Sequence, residues 1–158
     1  MGSNDGGPKE MEEIKTIIDF AIEKEKEAVD FYNDLAGKVK LKALADELRK
    51  IASVERAHQE RLERMDVETA VGTPPKQVTD LHIAEYLVEK KPTPDMSWQD
   101  IISIAMHREL ASIRLYTDLE DLVTDPEAKQ LFQNLVAEEK GHKLFFERIY
   151  DDEVLTSN

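Results

Sequence analysis

The sequence contains no cysteine, and this absence excludes several kinds of site. Disulfide bonds, zinc sites with cysteine ligands, iron–sulfur clusters and thiol nucleophiles all require cysteine. The sequence also lacks an apolar run of about 18 residues, so no segment is expected to cross a membrane. The first ten residues, MGSNDGGPKE, have neither the basic flank nor the apolar centre of a signal peptide. We therefore expect a cytoplasmic protein.

Basic residues are scarce relative to acidic ones. The 21 Lys and Arg residues face 34 Asp and Glu residues, which gives a net charge of −13. This charge argues against binding to nucleic acid or to an anionic membrane, because both need basic patches. Glycine and proline number only six each, while 41% of the residues are hydrophobic and 35% are charged. Over 158 residues, this composition is typical of a single helical domain with a substantial core.

Apolar residues recur with helical periodicity in four segments. The predicted helices span about residues 9–36, 41–65, 97–122 and 126–150. Gly37 is expected to cap the first helix, and SWQD at residues 97–100 reads as a capping box for the third. Short turns join the first helix to the second and the third to the fourth, so we predict two antiparallel hairpins.

The two hairpins are separated by a connection of about 30 residues, 66–96, in which one short helix is expected at residues 80–89. A connection of this length can cross the full length of a bundle. The prediction is therefore an all-α four-helix bundle made of two antiparallel helical hairpins joined by a long crossover. The bundle is expected to occupy residues 9–153, with a flexible tail at residues 1–8 and a C-terminal tail at residues 154–158.

The two predicted hairpins share an internal repeat with a spacing of 84 residues and no gap. The repeat pairs Glu25 with Glu109, Tyr32 with Tyr116, Glu55 with Glu139 and His58 with His142. In each hairpin a Glu-x-x-His pair follows another glutamate by 30 residues. A chance arrangement of charges on a solvated helix face does not account for this agreement.

The repeated residues are suited to binding metal. Glu and His three residues apart lie on nearly the same helix face, and the upstream glutamate lies at a similar height in the hairpin. Four carboxylates inside an apolar bundle would repel one another unless two divalent cations compensate them. Carboxylate and imidazole ligands suit iron, and also manganese or zinc.

The candidate ligands are Glu25, Glu55, His58, Glu109, Glu139 and His142. Tyr32 and Tyr116, two turns further along the same faces, are expected to donate hydrogen bonds to ligating carboxylates rather than only to fill the core.

One Glu from each of two helices and a Glu-x-x-His from each of the other two is the pattern of ferritin-like carboxylate proteins. The segments AIEKEKEAVDFYNDLA, SVERAHQERL, IAMHRELASIRLYTDLE and AEEKGHKLFFERI resemble the rubrerythrin branch of the ferritin-like superfamily, over about residues 9–150. The resemblance implies a ferritin-like bundle with a carboxylate-bridged di-iron centre, in which two ferrous ions give two electrons to hydrogen peroxide. It implies nitrogen ligation by the two histidines, bridging by Glu55 and Glu139, and terminal or bridging ligation by Glu25 and Glu109.

The sequence departs from the rubrerythrin pattern in two respects. Rubrerythrins carry a rubredoxin-like domain with a four-cysteine iron site, whereas this chain has no cysteine, so we expect a separate electron donor such as a rubredoxin. Rubrerythrins also have a further ligating glutamate one turn after the third-helix glutamate, where this chain has Ser112. A homodimer is expected from the resemblance.

Three functions remain open on the sequence. The first is an oxidoreductase that reduces peroxide or O2 with electrons from outside. The second is an iron-binding or ferroxidase protein for iron handling. The third, a structural bundle with vestigial ligands, is the least favoured because both ligand sets are complete.

Overall fold

A computed structural model describes residues 6–72, 75, 86 and 91–156, and these residues are helical apart from short turns. The helices are α1 (Gly6–Lys38), α2 (Lys42–Arg64), α3 (Val67–Val71), α4 (Trp98–Leu122) and α5 (Pro126–Thr156). The described part of the chain contains no strand. Within the same part, no helix combines the length and the low polarity needed to span a membrane. The four long helices lie where the apolar periodicity predicted them.

Helices α1 and α2 pack against each other as the first hairpin, within a compact unit of residues 1–78. Three intervening residues join them, so two helices in contact along their length must run antiparallel. Their facing stripes are buried, with Ile14 and Ile18 of α1 at 1% and 3% exposure and Leu48 and Leu62 of α2 at 0% and 1%. Burial of each such side chain stabilises the fold by roughly 1.5–3 kcal/mol.

The short helix α3 returns the chain to α1 and was not predicted. Ala70 and Val71 are buried, and Lys15 of α1 forms an ion pair with Glu68 of α3 at 3.1 Å. Gly72 ends α3 with a φ of 76°, a left-handed conformation that glycine adopts without steric cost.

The predicted cap at Gly37 is wrong. Helix α1 continues through Gly37 to Lys38, and the Val39 N–H still donates to the Leu35 carbonyl at 3.2 Å. Gly37 has no positive φ, so the chain leaves the helix without the left-handed residue that a glycine cap supplies.

Helices α4 and α5 form the second hairpin, within a compact unit of residues 79–158. The predicted capping box is present, because the Asp100 N–H donates to Ser97 Oγ at 3.1 Å and the Ser97 N–H donates to the Asp100 carboxylate at 3.3 Å. At the start of α5, Asp125 accepts a hydrogen bond from the Ala128 N–H at 3.2 Å. These contacts satisfy N–H groups that have no partner within the helix.

The short helix predicted at residues 80–89 lies outside the described residues except for Tyr86, which is buried. The Tyr86 hydroxyl donates a hydrogen bond to the Asp118 carboxylate of α4. The predicted domain limits at residues 9 and 153 stay a prediction, although helix extends slightly beyond both.

Candidate metal centre

The buried polar side chains coincide with the predicted ligands. Glu25, Glu55, His58, Glu109 and Glu139 each have an exposure of 2% or less. Tyrosines aside, no other polar or charged side chain is buried among the residues that the structure describes. Burial of a carboxylate or imidazole is costly unless a partner compensates it. The free-energy cost of burying polar groups therefore arises at the predicted ligand positions.

Glu25 of α1 and the Glu55–His58 pair of α2 meet inside the first hairpin, and we call them the first half-site. His58 Nδ1 lies 3.5 Å from Glu25 Oε1 and 3.4 Å from Glu55 Oε2. The helical spacing of three residues places Glu55 and His58 on one face of α2, and the packing of α1 brings Glu25 to the same point. The His58 side chain has no exposed surface.

Glu109 of α4 and the Glu139–His142 pair of α5 form the second half-site inside the second hairpin. His142 Nδ1 lies 3.8 Å from Glu109 Oε2 and 3.8 Å from Glu139 Oε1. Here the histidine side chain retains 14% exposure. All six predicted ligands thus assemble in the two triplets that the repeat predicts.

The spacing of the ligand atoms tests whether the triplets fit a metal ion. Ligand atoms about 2.1 Å from one ion are separated by about 3.0 Å at right angles and about 3.4 Å in a tetrahedron. The 3.4 and 3.5 Å distances of the first half-site lie at the upper end of this range, and the 3.8 Å distances of the second exceed it by about 0.4 Å. They exceed the 2.7–3.2 Å usual for N–H···O hydrogen bonds. In both half-sites one atom from each residue lies within 4.8 Å of the others. The nitrogen and oxygen donor types fit a divalent ion such as Fe(II), and the ligand atoms of the second half-site would have to move slightly closer to bind one.

The pKa values of Glu25 and His58 in the first half-site are both shifted by burial and by their charged neighbours. Burial raises the pKa of Glu25 well above its usual value, and the adjacent Glu55 carboxylate raises that pKa further. Burial alone would lower the pKa of His58, but the polar and electrostatic interactions of its imidazole with the Glu25 and Glu55 carboxylates outweigh burial and raise the pKa to about 11. Without metal, the cluster therefore retains a proton at neutral pH to balance its negative charge. A divalent cation can take the place of that proton.

The two predicted tyrosines are buried in the hairpins that carry the ligands. Tyr32 has 0% exposure and packs edge-on against Phe31, with ring centroids 5.1 Å apart. Tyr116 has 1% exposure and stacks on Phe132 at 6.1 Å. Their hydrogen bonding to ligating carboxylates stays a prediction.

Neighbouring acids and the exposed His107 lie outside the site. Glu23 and Glu27 are exposed and form ion pairs with lysines on the same helix. His107 is exposed, and its Nδ1 lies 2.7 Å from the Ser103 carbonyl one turn earlier. The contact that sequence reasoning missed is the one between Tyr86 and Asp118, since no local spacing relates residues 32 positions apart.

Comparison with known proteins identifies the family. The Rubrerythrin family profile matches residues 16–150, which is most of the chain. The chain belongs to the rubrerythrin family. Membership in this family and the buried Glu/His clusters together indicate an iron-binding protein of the di-iron class.

Solved structures related to this rubrerythrin-family protein show the same fold. A candidate ferritin-like diiron-carboxylate protein from Thermotoga maritima has a TM-score of 0.76 and 21% identity, covering 89% of this chain and 95% of that one. A hypothetical protein from Pyrococcus furiosus has a TM-score of 0.66 and 26% identity, covering 87% and 88%. No curated protein is significantly similar in sequence. The predicted all-α, ferritin-like fold class is confirmed.

Proposed function

We propose that this protein is a di-iron oxidoreductase of the rubrerythrin type, which reduces hydrogen peroxide, or O2, with electrons from a separate donor. The observation that carries the proposal is the assembly of two Glu/Glu/His triplets in which five of the six side chains are buried. A structural bundle with no metal would gain stability by replacing such groups with apolar ones. Their presence in both hairpins supports a role that depends on metal.

Glu25, Glu55 and His58 would hold one iron ion, and Glu109, Glu139 and His142 would hold the other. When bound, the two ferrous ions supply the two electrons that convert H2O2 and two protons to two molecules of water. The side chains would orient nitrogen and oxygen donors toward each ion, and burial keeps bulk water from the four glutamates and His58. Tyr32 and Tyr116 would restrain ligating carboxylates through their hydroxyl groups.

The electrons must be replenished after each turnover. The sequence contains no cysteine for an iron–sulfur or rubredoxin-type site. We therefore propose an external donor protein, such as a rubredoxin, acting on a cytoplasmic homodimer. Manganese or zinc could occupy the same ligands, since both accept carboxylate and imidazole.

The alternative is iron handling by a ferroxidase-type protein. The net charge of −13 favours it, because an acidic surface attracts ferrous ions. This function would use the same ligands but would take O2 as the oxidant and transfer the oxidised iron onward.

An anaerobic titration of the metal-free protein with Fe(II) tests the proposal, followed by one equivalent of H2O2 or, separately, of O2. Oxidation is followed by absorbance in a stopped-flow instrument. Glu25→Gln removes a buried carboxylate from the first half-site, and Glu23→Gln makes the same change on the exposed face of the same helix. We expect Glu25→Gln to lose iron from the first half-site, whereas Glu23→Gln should match the wild-type protein.

The outcomes separate the functions. Saturation at two irons per chain with faster oxidation by H2O2 supports the peroxidase, and turnover with reduced rubredoxin would then identify the donor class. Faster oxidation by O2, with uptake beyond two irons, assigns the protein to iron handling. Failure to bind iron or manganese would overturn both functions.

A further inference from the structure

The two half-sites have the same residue types but differ in the exposure of the histidine and in its distances to the carboxylates. In the first, the His58 side chain has 0% exposure and its Nδ1 lies 3.4 and 3.5 Å from the carboxylates. In the second, His142 has 14% exposure and both distances are 3.8 Å. The second triplet is thus the looser of the two and the one whose imidazole reaches the surface.

The backbone beside the two histidines differs as well. Gly141 precedes His142 in α5, whereas Ala57 precedes His58 in α2 at the equivalent position of the repeat. Gly141 is exposed, and a Cβ built there would meet no atom of the described residues within 4 Å. The packing of these residues therefore does not require a glycine at this position. Glycine inside a helix favours local opening relative to alanine, because it gains more conformational freedom when the helix unravels.

The partial exposure of His142 and the adjacent Gly141 both concern the same turn of α5. Release of an ion requires its ligands to separate, and a buried ligand on a closed helix separates only when the surrounding structure opens. His142 is already partly exposed, and the adjacent glycine lowers the cost of opening the turn that carries it. His58 has neither feature.

We propose that the second half-site is the exchangeable metal position of this protein, and that opening of α5 at Gly141 controls the exchange. A divalent ion held by Glu109, Glu139 and His142 leaves and enters faster than one held by Glu25, Glu55 and His58. This inference rests on the proposed di-metal function and adds an order of filling and loss: the first half-site retains its ion while the second is replaced.

The test uses the full chain loaded with Co(II), a probe whose absorbance reports its ligands. The loaded protein is mixed with excess EDTA, and the loss of cobalt absorbance is followed with time. We expect a fast phase and a slow phase, each corresponding to one ion. Gly141→Ala should slow the fast phase about fivefold, because alanine favours the closed helix over glycine by about that factor in the opening equilibrium. The slow phase should be unchanged.

Two further variants make the assignment specific. Gly37→Ala makes the same substitution at another open helical glycine, near the end of α1 and far along the helix from Glu25, and should change neither phase. Ala57→Gly reverses the difference in the first hairpin and should accelerate the slow phase about fivefold. Amide hydrogen exchange gives an independent readout, since Gly141→Ala should increase protection in the turn around His142.

The possible failures are distinguishable. Binding of fewer than two cobalt ions would overturn the di-metal function itself. Two ions released in a single phase, or a fast phase unaffected by Gly141→Ala, would overturn only the inference about exchange.

Discussion

Removing the metal should make the stability of this protein depend on pH through the first half-site. In the folded metal-free protein, Glu25 and Glu55 outweigh the effect of burial and raise the pKa of His58 to about 11. In the unfolded chain a histidine has a pKa of about 6.5. At pH values between about 6.5 and about 11, the folded protein therefore binds one more proton than the unfolded chain. The cluster titrates as a unit, so the proton belongs to the group rather than to one atom.

The sign of the effect follows from this difference. The stabilisation is fully present below about pH 6.5 and is lost as the pH rises toward 11. The slope is about 1.4 kcal/mol per pH unit, so the free energy of unfolding should fall by about 3 kcal/mol between pH 7 and pH 9. For a chain of this size, that corresponds to a decrease in melting temperature of roughly 5–10 °C. Burial and the adjacent Glu55 carboxylate also raise the pKa of Glu25, which favours proton binding by the folded cluster in the same direction.

Urea unfolding of EDTA-treated protein at pH 7, 8 and 9, followed by circular dichroism, measures this slope. The triple change Glu25→Gln, Glu55→Gln and His58→Gln should largely remove it, while the matched change His107→Gln at an exposed position should leave it intact. Zinc should reduce it in the wild-type protein, since the ion replaces the proton. A metal-free wild-type protein equally stable at pH 7 and pH 9 would refute the reasoning.

Three further outcomes are expected. Zinc at a hundredfold excess over its dissociation constant should stabilise the protein by about 2.7 kcal/mol per ion; an unchanged calorimetric midpoint would contradict metal binding to the folded state. Asp125→Ala removes the hydrogen bond from the Ala128 N–H at the start of α5 and should cost about 1 kcal/mol in urea unfolding. Tyr86→Phe removes the hydrogen bond to Asp118 and should cost about 1–3 kcal/mol, and a variant as stable as the wild type would show that this contact contributes nothing.

The sequence predicted the four long helices because each buries an apolar stripe over several turns. It was less accurate at their ends. The prediction at Gly37 failed because a glycine permits a left-handed cap without enforcing one, and α1 keeps its hydrogen bonding through that residue. Helix α3 was missed because five residues are too few to display a period.

The candidate ligands were predictable for a related reason. A spacing of three in a helix determines which side chains share a face, and the repeat shows that the same set occurs twice. The difference in closure between His58 and His142 was not predictable, because side-chain exposure depends on the packing of other helices. The Tyr86–Asp118 contact likewise depends on the path of the chain between helices.

The position of the ligands along the helices has a practical consequence. Glu25, Glu55, Glu109 and Glu139 all lie several turns from the ends of their helices. Fraying affects the terminal turns, so it reaches the capping residues before it reaches any ligand. Thermal stability and metal affinity should therefore be separately adjustable: changes at Ser97 or Asp125 can shift the melting temperature while leaving the metal dissociation constants unchanged.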